Sequence, residues 1–139
     1  MSAWIYQLLP VVGVAGFVAA GAALVWRPAV AGTRQVWMAP AAMSCLFLLW
    51  SAYAALTEGP LGFWPEHTRN AWGNQIWLDL LLSISVAFAL LAPGARAVGM
   101  RVAPWFVLIL CTGSVGLLAM TARYLFLRER SPAPDPAVS

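Results

Sequence analysis

Four apolar stretches dominate the chain, over residues 4–26, 36–56, 74–92 and 102–127. Each stops at a polar or helix-breaking junction: Arg27-Pro28, Thr57-Glu58-Gly59-Pro60, Pro93-Gly94 and Arg128-Glu129-Arg130. The hydrocarbon core of a bilayer is about 30 Å thick and a helical residue rises about 1.5 Å, so about 20 apolar residues make one crossing. The pattern predicts an all-α integral membrane domain over residues 1–130, a bundle of four transmembrane helices. Both termini then fall on one side. Strands are excluded, because they would need period-2 alternation and a closed barrel of about eight or more strands. Residues 131–139, rich in proline, have the composition of a disordered tail.

Charge supports the same class. Hydrophobic residues make up 62% of the chain and charged residues only 9%, against about 25% charged in soluble domains. All eight basic residues are arginine. Without a lysine no Schiff base to retinal can form. A net charge of +3 with no dense basic cluster gives nucleic acid no footing. Cys45 and Cys111 sit inside apolar stretches and read as small core residues rather than a disulfide. A single histidine and the absence of a Cys-x-x-Cys pair leave no metal site. No P-loop, dinucleotide fingerprint, nucleophile elbow or haem motif is present, so no cofactor is expected. The first apolar run starts at Trp4 without a basic leader and is expected to stay in the membrane as a span.

Trp4, Tyr6, Trp26, Trp37, Trp72, Trp77, Trp105 and Tyr124 lie near the span ends, where an interfacial aromatic belt belongs. Small residues recur at close-packing intervals: Ala15, Ala19 and Ala23 with Gly16 and Ala20, then Gly113 and Gly116. Packing within the chain and a homo-oligomer seam both fit them. Four spans divide the arginines evenly. Arg27, Arg34, Arg96 and Arg101 fall on one side, and Arg69, Arg123, Arg128 and Arg130 on the other. The first three spans point the same way, with the first and third loops cytoplasmic, and only the tail disagrees.

Asp79 is the residue most in need of a reason. It lies about a turn and a half into the third span, with Gln75 and Ser83 four residues to either side on the same helical face. A carboxylate at the centre of a membrane costs about 2.5–3.5 kcal/mol on insertion scales. It should therefore face the bundle interior and find a partner. Ser44, Ser51, Tyr53, Thr112 and Ser114 are candidates. Arg123 is the natural counter-ion, because a straight fourth span would bring it to the same side as Asp79; the alternative is that Arg123 snorkels to the interface. The long loop between the second and third spans carries Glu66, His67 and Arg69 beside Phe63 and Trp64. It reads as an interfacial loop, with Glu66 and His67 as a less favourable acid–base pair.

Trp77-Leu78-Asp79-Leu80 with Ser83, the turn from Gly94 to Met100, Gly113-Ser114-Val115-Gly116 and the segment Tyr124 to Arg130 resemble an uncharacterised bacterial family of short multi-pass membrane proteins, a domain of unknown function. The resemblance covers residues 70–130. Pro93 stands where that family often has an acid, and Leu117-Leu118-Ala119 where it has a proline. The intramembrane Asp79 is also distantly similar to that of neoxanthin-synthase-like and membrane terpene-cyclase proteins, in which an acid acts on a polyene.

Two functions follow as expectations. One is a non-catalytic small subunit of the inner membrane, packing in the lipid bilayer against a membrane-protein partner or a second copy, with Asp79 as an interhelix anchor. The other is a membrane enzyme or carrier for an apolar lipid, isoprenoid or carotenoid, with Asp79 as its acid. Only one carboxylate lies within the spans, whereas acid–base catalysis ordinarily uses two positioned groups. That favours the subunit.

Overall fold

The computed structural model of the protein describes residues 4–26 and 35–130. Its elements are α1 (Trp4–Trp26), α2 (Met38–Glu58), α3 (Phe63–Thr68), α4 (Ala71–Ala97), α5 (Val102–Thr112) and α6 (Ser114–Arg130), with no strand among the described residues. The chain is all-α. It divides into two units, Met1–Thr33 and Arg34–Ser139. The proline-rich tail expected over 131–139 lies outside the described residues. Three helices are long and apolar enough to cross a membrane: α1 over Trp4–Ala23, α2 and α4.

The first unit contributes α1, a helix of 23 residues with Pro10 inside it. A proline there forfeits one backbone hydrogen bond, which apolar membrane-length helices tolerate.

In the second unit, α4 is longer than the third apolar stretch at both ends. Its start is set by Asn70, whose side chain accepts from the Gly73 N–H at 2.8 Å, the usual work of an asparagine N-cap. At the other end the helix runs through Pro93 rather than stopping there. It stops where glycine permits a left-handed turn. Gly99 has φ +80°, its N–H reaches Arg96 O at 2.9 Å, and Met100 N–H reaches Ala95 O at 2.9 Å. This is a Schellman stop, and its apolar partner Met100 is buried. The 27 residues of α4 span about 40 Å, enough to cross a bilayer.

The fourth apolar stretch departs from expectation. Residues 102–127 do not form one helix; they break at Gly113 into α5 and α6. Gly113 has φ 58° and ψ −125°, a backbone setting that only glycine adopts without strain. The chain then doubles back. A Cβ placed on Gly116 would stand 2.9 Å from Ile109 N and 3.0 Å from Ile109 Cα, although these residues would be about 10 Å apart along a continuous helix. Gly116 brings two backbones together, as its spacing suggests, but between the two halves of this one stretch.

α4, α5 and α6 share a core in which Ala95, Met100, Ile109 and Met120 are buried, with Phe88, Leu91, Trp105, Leu117 and Tyr124 packed around them. Two close approaches fix the directions. A Cβ on Gly113 would touch Ile84 Cδ1 at 3.7 Å, and one on Gly94 would meet the Tyr124 hydroxyl at 2.9 Å. So α5 descends antiparallel to α4 as far as Ile84, the middle residue of α4, and α6 climbs back parallel to it. The second helix, α2, lies antiparallel along α6. Its Ser44 hydroxyl, buried, donates to Val115 O at 3.0 Å near the start of α6, and its Trp37 ring meets Phe126 edge-on at 5.3 Å near the end. In lipid, such packing rests on van der Waals fit and internal hydrogen bonds, since the tails are as apolar as leucine.

Candidate functional site

The stripe Gln75, Asp79 and Ser83 forms on α4 as the sequence spacing requires, but it faces outward. All three are exposed. At 100° per residue Asp79 lies about 180° around the helix from Phe88 and about 140° from Ile84, the residues that pack on the core. The face it shares is apolar and open: Leu82 is 66% exposed, Val86 60% and Leu90 78%. Shallow apolar depressions follow this side of α4, one lined by Leu82, Ser83, Val86, Ala87 and Leu90. A second, between α4 and α6, adds Leu91, Leu117 and Thr121. Within the second unit, Asp79 therefore lies away from the core rather than in it. The core face of α4 is supplied instead by Ile84, Phe88, Leu91 and Ala95.

Two of the expected interior partners are engaged elsewhere. Ser44 donates to Val115 O and Thr112 to Leu108 O at 2.7 Å. Arg123 is exposed, with its guanidinium 5.7 Å from the Phe126 ring centre. The doubling back at Gly113 explains why it does not reach Asp79. Neighbouring Tyr124 is level with Gly94, fifteen residues beyond Asp79, or about 22 Å along α4. Among the described residues nothing bonds to Asp79, and no group of three or more His, Cys, Asp or Glu is placed to hold a metal ion. Cys45 and Cys111 are free thiols, but both are exposed rather than core residues.

The loop between α2 and α4 folds into the short helix α3. Phe63 stacks on Trp77 with ring centres 5.6 Å apart, and the His67 ring lies 5.0 Å from Trp77. A Cβ on Gly73 would come within 2.5 Å of Glu66 O, so only glycine lets α3 sit this tightly on α4. Glu66 and His67 do not meet. Glu66 pairs with Arg69 at 3.3 Å on the surface, and His67 Nδ1 faces Phe63 O at 2.6 Å. Asn74 ties the same turn down by donating to His67 O at 3.0 Å. The geometry is that of an aromatic plug at one end of α4, with no titratable pair aimed at a common point.

A residue that sequence reasoning did not single out holds the opposite end. Both oxygens of Glu129 accept backbone N–H groups, from Gln35 and Val36, each at 2.9 Å. These N–H groups belong to the turn that leads into α2, one and two residues before its N-cap Trp37, where a carboxylate also complements the helix dipole. No local sequence signal marks this contact, because the acceptor lies more than ninety residues from its donors.

No protein-family model, no curated protein and no solved structure matches this chain.

Proposed function

We propose that the protein is a small multi-pass subunit of the cell inner membrane, without catalytic activity, that docks the outer face of α4 on a transmembrane helix of a larger membrane protein. The observation that carries this reading is the exposed Asp79 on a membrane-length apolar helix, turned away from its own core. A carboxylate left in hydrocarbon costs about 2.5–3.5 kcal/mol. A partner helix that brings an arginine, a lysine or a cluster of hydrogen-bond donors removes that cost and gains from doing so. Gln75 and Ser83 extend the polar contact by a turn in each direction, and Leu82, Val86 and Leu90 supply the apolar seam. Acid chemistry on an isoprenoid would instead call for an enclosed apolar chamber around Asp79, whereas its surroundings are open.

Asparagine keeps the shape and most of the hydrogen bonds of aspartate but cannot hold the charge or give a proton. Native electrophoresis of membranes, beside the abundance of each variant and complementation of a deletion strain, separates the readings. Asp79→Leu should stay in the membrane but migrate as a smaller species, and Asp79→Asn should assemble and complement at least in part. An Asp79→Leu protein in an unchanged assembly contradicts the docking role. An abundant, assembled and inactive Asp79→Asn protein replaces it with the catalytic reading. Co-purification of two differently tagged copies identifies the partner helix as a second copy of this chain.

A further inference from the structure

We infer that residues 102–130 form a re-entrant hairpin that enters and leaves the membrane on its cytoplasmic face, so that the arginine-rich end of the second unit rests against anionic headgroups of the inner leaflet. The inference goes beyond the docking role of α4 and shares with it only the premise of membrane insertion.

Three observations carry it. The turn at Gly113 lies beside Ile84, midway along α4, so the hairpin tip stops near the bilayer centre if α4 crosses. With 11 residues, α5 covers about 16 Å, half a crossing, and apolar helices of this length are characteristic of re-entrant or buried segments rather than spans. The tip also meets the condition for irregular backbone at membrane depth, which must be satisfied within the protein. Gly113 N–H reaches Ile109 O at 2.7 Å, the Leu117 N–H reaches Gly113 O at 3.2 Å, and the buried Ser44 hydroxyl bonds Val115 O. Finally, α6 ends where α2 begins. Glu129 holds the N–H groups of Gln35 and Val36, and Tyr124 lies against Gly94 near the end of α4.

The hairpin changes the charge count. Among the described residues, exposed Arg96, Arg101, Arg123, Arg128 and Arg130 gather at one end of the second unit, and Arg69 stands at the other, already paired with Glu66. A straight fourth span leaves the arginines evenly divided; the hairpin does not. Flanking arginine sets orientation, with the basic side in the cytoplasm, and the inner leaflet is the anionic one. Trp37, Trp105, Tyr124 and Phe126 sit at this same end, as a belt at the headgroups requires. Arg128 and Arg130 lie over the Tyr124 and Phe126 rings, at 5.6 Å and 4.1 Å.

The test uses the full chain with Cys45→Ala and Cys111→Ala and one added cysteine at a time: Ala97→Cys, Leu61→Cys or Ala137→Cys. A membrane-impermeant maleimide is applied to right-side-out and inverted vesicles, and labelling after detergent solubilisation sets the full signal. Carbonate extraction checks insertion separately, so that loss of the membrane premise is distinguishable from a wrong topology. Positions 97 and 137 should label only in inverted vesicles, and position 61 only in right-side-out ones. Labelling of 97 and 137 from opposite faces restores a straight fourth span and overturns the inference. So does labelling of 61 from the same face as 97, or of 97 and 137 together from the outside.

Discussion

Gly113 and Gly116 decide the shape of the second unit, and neither tolerates a side chain. Gly113 occupies a glycine-only backbone region, and a Cβ on Gly116 would stand 2.8 Å from Thr112 Oγ1 and 2.9 Å from Ile109 N. Gly113→Ala should cost about 1–3 kcal/mol of backbone strain. Gly116→Val should cost a similar amount by forcing α5 and α6 apart. Both appear as a lower unfolding temperature in detergent. A Gly116→Val protein as stable as the parent would mean that the two helices do not touch there. At this scale the sequence was informative about identity and silent about direction. The spacing of Gln75, Asp79 and Ser83 placed them on one helical face, which they share, but spacing cannot say which way a face looks. That is decided by which side of α4 packs, and Ile84, Phe88, Leu91 and Ala95 make a continuous apolar ridge there. In a chain where nearly every face is apolar, a hydrophobic ridge does not announce itself.

Helix ends account for most of what was legible among the elements and most of what was not. The Asn70 cap and the glycine stop after α4 are local, yet the apolar run alone began this helix at residue 74 and ended it at Pro93-Gly94, inside its true bounds. The clamp on the turn before α2 is not local, because Glu129 lies more than ninety positions along the chain from the N–H groups that it holds. Glu129→Ala should lower the stability of the detergent-solubilised protein by about 0.5–1.5 kcal/mol, the net worth of an intramolecular hydrogen bond. Glu129→Gln should recover part of it, since an amide oxygen accepts one of the two bonds. Equal stability of Glu129→Ala and parent would remove the clamp between α6 and α2. The fourth stretch was misread as one helix because length and hydropathy, the signals for a span, are blind to a reversal. Only the pair Gly113-Ser114, followed by Gly116, marked it, and the same pattern serves equally for close packing between separate helices.

Over the whole molecule the all-α class and three membrane-length helices follow from hydrophobic runs alone, because no other arrangement satisfies backbone groups in lipid. The topology does not follow from them, since turning one helix into two changes where the chain ends and which arginines stand together. The same fold-back separates Arg123 from Asp79. Everything therefore rests on residues 102–130 returning to their starting level. Spin labels on Arg101→Cys and Arg128→Cys, in the cysteine-free background and in lipid bilayers, measure this directly by electron paramagnetic resonance. Packed helices lie about 8–10 Å apart, so the hairpin predicts a label separation of about 10–20 Å. A straight helix over the same residues would hold the labels about 40 Å apart, and that result would contradict the account.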